Sequence, residues 1–123
     1  MIYSEKEENK DKLLESITYL ENKGFENIKA DLDGYEKPKS YLKKSTNEVI
    51  TPDIVADRAG VKHYFEVGVK SEQKNLLKSK WRFLEVLSRM KEHRFKVITY
   101  HGHFRFTSEM LKDLNLDKKL IRI

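Results

Sequence analysis

The chain has 123 residues, enough for one domain with a single core. It has no cysteine, which excludes disulfides and a thiolate zinc site. No apolar run nears the ~20 residues that cross a bilayer, and the charged start lacks a signal-peptide core, so the expectation is a cytoplasmic protein with no membrane partner.

Charge is abundant, at 37% of residues and net +5, and it is unevenly spread. Residues 1–69 hold 11 Lys/Arg against 14 Asp/Glu, and residues 70–123 hold 14 against 6, a net +8. A basic half of this kind predicts a surface that faces a polyanion such as nucleic acid.

In chain order, Ser4-Glu5-Lys6-Glu7 reads as a capping box, and Leu13, Leu14, Ile17 and Leu20 follow at helical spacing. A helix is expected over 4–23, stopped by Gly24 with Phe25 as the hydrophobic contact behind it. The glutamates of this segment read as a solvated face. Residues 27–33 alternate, with Ile28, Ala30 and Leu32 on one side, as in a half-buried strand. Gly34 to Lys39 is loop-like. Residues 41–50, with Lys43-Lys44, read either as an extension of that strand or as an excursion beside the site that the next stretch forms.

The most informative stretch is TPDIVADRAGVKHYFEVGVK, residues 51–70. Ile54-Val55-Ala56 is a short apolar run, Asp57-Arg58-Ala59-Gly60 breaks it as a turn, and a β-branched and aromatic strand resumes at Val61. Side chains alternate along a strand, so His63, Phe65, Val67 and Val69 share one face, while Tyr64, Glu66, Gly68 and Lys70 share the other. Hairpin pairing then brings Asp53 near Glu66. Two converging carboxylates form a hard-oxygen site that suits a magnesium-type ion.

Ser71 is placed to cap a helix over 72–92 whose apolar residues cover more than half of its circumference. Trp81 and Phe83 read as core, and Lys74, Lys78, Lys80 and Arg82 as lying on or beside the remaining face. Phe95–Tyr100 is the next strand. Strand, helix, strand is a crossover, so Tyr64–Val69 and Phe95–Tyr100 should run parallel with a right-handed connection. His101-Gly102-His103 reads as a loop pair rather than a metal site. Thr107 or Ser108 is expected to cap a short helix holding Met110, Leu111 and Leu114. Residues 118–123 close with a strand that adds to the sheet and whose edge would suit pairing in a homodimer.

Pro52-Asp53, a gap, and Glu66 on the following strand resemble the PD-(D/E)XK nuclease-like superfamily. The order helix, three strands, helix, strand over residues 4–100 is similar to the core of that superfamily. The resemblance implies an α/β, restriction endonuclease-like fold: a central mixed sheet flanked by helices, in the order αβββαβ and then αβ, with residues 1–123 as one domain. It implies a metal-dependent nuclease acting on DNA or RNA phosphodiester bonds, with Asp53 and Glu66 as ligands of Mg2+ or Mn2+. In that superfamily a first-helix glutamate sometimes joins the site.

The lysine departs from the pattern, because Gly68 stands where the motif has it. Lys70 is the nearest candidate to position the attacking water. It keeps the face but starts about 6.6 Å further along, a gap that a bulge at Gly68 would shorten. The alternative is a catalytically inactive nuclease-fold domain that binds nucleic acid or a partner protein. If the resemblance is coincidental, Asp53 is a turn acid after Pro52 and Glu66 an exposed strand residue.

Overall fold

The computed structural model describes residues 1–123. Its elements in chain order are α1 (Lys10–Asn22), β1 (Glu26–Ala30), β2 (Tyr41–Lys43), β3 (Glu48–Ile50), β4 (Ile54–Arg58), β5 (Val61–Gly68), α2 (Lys74–Met90), β6 (Arg94–Thr99), α3 (Phe104–Asp113) and β7 (Leu120–Arg122). Short 3-10 turns lie at Tyr3–Glu5 and Asp117–Lys119. The fold is α/β with a central mixed sheet of five strands in the order β1-β4-β5-β6-β7.

The β4–β5 hairpin is the antiparallel centre, closed by Ala59 (φ 51) and Gly60 (φ 77). Both turn residues are left-handed, the twist that a two-residue hairpin loop needs. β1 flanks β4 antiparallel, while β6 and then β7 extend the sheet parallel to β5, as the crossover predicts. Alternation sorts the hairpin between two cores. Ile54, Phe65 and Val67 face α1 with Leu13, Ile17 and Leu20. Val55 and Tyr64 face α2 and α3 with Leu77, Trp81, Leu84 and Leu111.

Several expectations change. The first helix begins at Lys10, and Ser4 lies in the 3-10 turn before it. Ser71 does not cap α2 directly; its Oγ accepts the Gln73 N–H at 3.0 Å, turning the chain into the helix. α3 begins at Phe104, so Thr107 lies inside it, fully buried, rather than at its cap. Residues 41–50 do not extend β1; the excursion is what forms. They make a separate two-stranded hairpin, β2–β3, tied to the main sheet through Tyr41 and Tyr64, whose hydroxyls lie 3.0 Å apart.

No bulge forms at Gly68. The β5–β6 register runs unbroken from His63 opposite Arg94 to Gly68 opposite Thr99. The irregularity is in β1, between Glu26 and Lys29, where Asn27 takes φ 52. Gly68 is required by packing instead: a Cβ there would lie 2.5 Å from Thr107 Cγ2 and Oγ1 on α3. No helix of the chain is long and apolar enough to cross a membrane.

Candidate active site

Asp53 stands one residue before β4, directly across from Glu66 in the antiparallel register. Their side chains therefore leave the sheet on the same face, towards α2. Both are fully buried at 0% exposure, so Asp53 is not an exposed turn acid and Glu66 is not a solvated strand residue.

Backbone amides orient both acids. Asp53 Oδ2 accepts the Val67 N–H at 2.8 Å, and Glu66 Oε2 accepts the Asp53 N–H at 2.8 Å. The remaining lone pairs converge on cations. The Met1 α-ammonium lies 2.5 Å from Asp53 Oδ2 and 3.0 Å from Glu66 Oε1, bridging the two carboxylates. Lys80 Nζ lies 3.2 Å from Asp53 Oδ1 and 3.0 Å from Glu66 Oε1, and donates to the Met1 carbonyl at 2.6 Å. Trp81 Nε1–H reaches Glu66 Oε1 at 3.3 Å. Lys6 Nζ lies 3.3 Å from Asp53 Oδ1 and pairs with Asp31 at 2.5 Å.

Three carboxylates thus meet three ammonium groups. This balance lets ionised groups stay inside, since an unpaired buried charge is strongly destabilising. Burial pushes the Asp53 carboxyl up, but Lys80, the Met1 ammonium and Lys6 outweigh it and hold the group well below the usual carboxylate range. Burial pulls the Lys6 amine down, and Asp53, Glu66 and Asp31 more than reverse it.

The lysine of the site is Lys80 on α2. Lys70, expected to serve there, is exposed just past the end of β5; its backbone N–H donates to His103 Nδ1 at 2.9 Å, and its amine pairs with neither acid. Gly68 and Thr107 explain the exchange. The close approach of α3 fills the space that a side chain at position 68 would need. Lys80 instead descends onto the acids from the helix above, with 9% of its surface exposed.

No family model, curated protein or solved structure matches this chain. Its chemistry must be read from the site itself.

A carboxylate pair is the donor type that a hard divalent ion takes, and every oxygen of this pair already has an amide, indole or ammonium partner. Asp53 Oδ2 and Glu66 Oε1 already share one cation, and magnesium is commonly held by one or two carboxylates with water and substrate oxygens completing its shell. The acids gain no third ligand of their own type: no group of three His, Cys, Asp or Glu residues gathers in the chain. The first-helix glutamates stay away, and Glu5 spends its carboxylate on the Ile2 N–H at 3.2 Å.

Five participants escape a reading of the sequence alone: the Met1 ammonium, Lys6, Asp31, Lys80 and Trp81 as a hydrogen-bond donor. For Lys80 a signal exists. Leu77, Trp81, Leu84 and Ser88 form the buried stripe of α2, and position 80 falls on it by the i, i+3, i+4 spacing. A lysine on an apolar stripe marks a buried anion to be met.

Proposed function

We propose that this chain is a nuclease-fold domain and a metal-dependent phosphodiesterase acting on DNA or RNA. The observation that carries the reading is the convergence of two fully buried carboxylates on one cation, with the Lys80 amine beside both. Setting the β2–β3 hairpin aside, the order α1, β1, β4, β5, α2, β6 supports the restriction endonuclease-like reading of the fold.

In this reading Asp53 and Glu66 would hold magnesium or manganese, which would supply charge neutralisation at the phosphate and a more acidic water. Lys80, rather than Lys70, donates to the attacking water or to a phosphoryl oxygen as negative charge develops. The amides of Val67 and Asp53 and the Trp81 indole keep the carboxylates aimed while this happens. Net +8 in residues 70–123 supports a nucleic-acid substrate.

A second reading has its own observation. Met1, Lys6 and Lys80 already neutralise Asp53, Glu66 and Asp31, as in a nuclease-fold domain that binds nucleic acid or a partner without cutting. An ion held by Asp53 and Glu66 would have to displace the Met1 ammonium, and the two readings differ on whether it does.

The test is cleavage of plasmid and single-stranded substrates in magnesium or manganese by wild type and Asp53→Asn, with folding of both checked by circular dichroism. Metal-dependent cutting that disappears in the variant supports hydrolysis. No cutting, or equal cutting by both proteins, removes it and leaves the binding domain.

A further inference from the structure

The α1 face of the sheet changes character along its strands. At the open end of the β4–β5 hairpin it is apolar, and Ile54, Val67 and Ile98 lie in the core there. At the Ala59-Gly60 end it is basic. Ala56 stands opposite His63, so Arg58, two residues on, shares the face of His63. His63 stands beside Arg94 and Phe65 beside Lys96, which brings both β6 cations to the same face. Arg58 and Arg94 are exposed, and Lys96 is half-buried. The Arg58 guanidinium lies over the Phe25 ring at 4.5 Å, and that ring meets His63 edge-on at 5.0 Å.

These cations have no acid to answer them. Arg58, Arg94 and Lys96 enter no ion pair. Arg58 gives one N–H to the Lys23 carbonyl at 3.4 Å and keeps its other donors. The neighbouring acids are engaged elsewhere. Asp57 lies on the opposite face by alternation and accepts the Asn27 amide at 3.2 Å. Glu85, on α2, meets Arg89 at 3.4 Å and Lys119 at 3.9 Å. Burial lowers the His63 imidazole, and Arg58, Arg94 and Lys96 lower it further. Burial also lowers the Lys96 amine, and Lys119 and Arg94 add to this more than Glu85 opposes it. Like charges on neighbouring strands cost stability, so a partner of opposite sign is what this face lacks.

We propose that Arg58, Arg94 and Lys96 form a docking surface for the phosphate backbone of nucleic acid, on the face of the sheet opposite to the acids. Arginine forks match phosphate oxygens in pairs, and lysine adds a point charge. Arg94 and Lys96 are about 6.6 Å apart along β6, so the surface offers a row of cations rather than one. Protein interfaces and membrane-surface helices draw on exposed apolar anchors, and β4, β5 and β6 contribute no exposed large apolar side chain. Glu66 is about 10 Å from His63 along β5 and points to the other side. The backbone held here is therefore another stretch than the one presented to the acids. The inference rests on the nucleic-acid partner of the reading above, and not on its hydrolysis.

The experiment is fluorescence anisotropy in EDTA, so that binding is read without cleavage. A labelled oligonucleotide of about 16 nucleotides, as single strand and as duplex, is titrated at salt from about 50 to 200 mM. Wild type is measured beside the double variant Arg94→Ala with Lys96→Ala, and beside Arg94→Glu, which changes only an exposed position. Arg105→Ala with Lys112→Ala removes the same charge from exposed positions on α3 as a control. Folding is checked by circular dichroism and thermal melting. A polyglutamate peptide and phosphatidylserine vesicles are parallel arms.

The double variant should lose about fivefold or more in affinity at low salt. The slope of log affinity against log salt should flatten by about 1.8 on duplex and about 1.4 on single strand, the share of two phosphate contacts. Arg94→Glu should bind more weakly than wild type and melt no lower, because it relieves the repulsion. The α3 control should keep the wild-type slope. An unchanged slope in the double variant, or an equal loss in the control, overturns the inference. So does binding of polyglutamate or of the vesicles as tight as that of nucleic acid. Asp53-dependent cutting by a protein whose salt slope ignores Arg94 and Lys96 overturns the surface and leaves hydrolysis standing. The expected slopes without any cutting support the surface and remove hydrolysis.

Discussion

Lys80→Met tests the centre of the site most directly. The substitution keeps the long apolar stem and removes the amine that lies 3.0 Å from Glu66 Oε1 and 3.2 Å from Asp53 Oδ1. Three carboxylates are then left with two ammonium partners in a buried place. Removing one member of a buried ion pair costs about 3–5 kcal/mol, a large share of the ~5–15 kcal/mol that holds a domain of this size together. Urea unfolding should show that loss with little change in slope, and the melting temperature should fall by roughly 10–20 °C.

The double variant Lys80→Met with Glu66→Gln restores the charge count and should recover a good part of the loss. The single variant also gains an uncompensated negative charge between Asp53 and Glu66, so magnesium should stabilise it more than wild type. At a concentration about 100 times its dissociation constant the gain is about 2.7 kcal/mol. A loss under about 1 kcal/mol, or a magnesium shift no larger than that of wild type, would refute the view that Lys80 and a divalent ion answer to the same two carboxylates.

Other outcomes follow from the same geometry. Gly68→Lys restores the motif in sequence but drives a Cβ to 2.5 Å from the Thr107 side chain; it should destabilise by about 1–3 kcal/mol in urea, and adding Thr107→Ala should return part of this. Trp81→Phe removes the 3.3 Å indole hydrogen bond to Glu66 and should cost about 2 kcal/mol, measured in the same way. Lys70→Ala should change stability by less than about 0.5 kcal/mol and leave any metal-dependent cleavage unchanged; a large loss of cleavage would return Lys70 to the site.

For pH, burial lowers the histidines at 63, 93 and 103, with further lowering by neighbouring cations: Arg58, Arg94 and Lys96 around His63, Lys62 and Lys91 around His93, and Lys70 and Lys12 around His103. The folded chain therefore binds fewer protons than the unfolded one. Their stabilisation is complete above the unfolded value near 6.5 and is lost as pH falls below it, so the urea midpoint should be lower at about pH 5.5 than at about pH 7.5.

Local patterning made most of the sheet legible. The hairpin announces itself through alternation and a turn that needs two left-handed residues, and the crossover follows from helix length between two β-rich runs. Opposition of Asp53 and Glu66 was legible for the same reason, since register on a tight hairpin fixes which side chains share a face. What stayed hidden depends on contacts distant in sequence. Lys80 meets Asp53 across 27 residues and Lys6 meets Asp31 across 25, and charge alone suggests solvent for both lysines. Gly68 read as a missing catalytic group because its reason, Thr107, lies on a helix beyond the crossover. The short strands of β2–β3 carry too few residues for alternation to show, and Ser4 has capping chemistry but sits one turn too early to use it.

Asp53 and Glu66 receive the amides of Val67 and Asp53 in places where a strand pair would otherwise use carbonyls. The two acids are therefore rungs of the ladder, clasping the open end of the hairpin just as Ala59-Gly60 closes the other. Loosening that clasp would part the strands, so any ion or substrate that enters must exchange partners without letting the carboxylates swing. Rigidity here belongs to the weave of the sheet, and whatever chemistry occurs inherits its aim from the same bonds that align the strands.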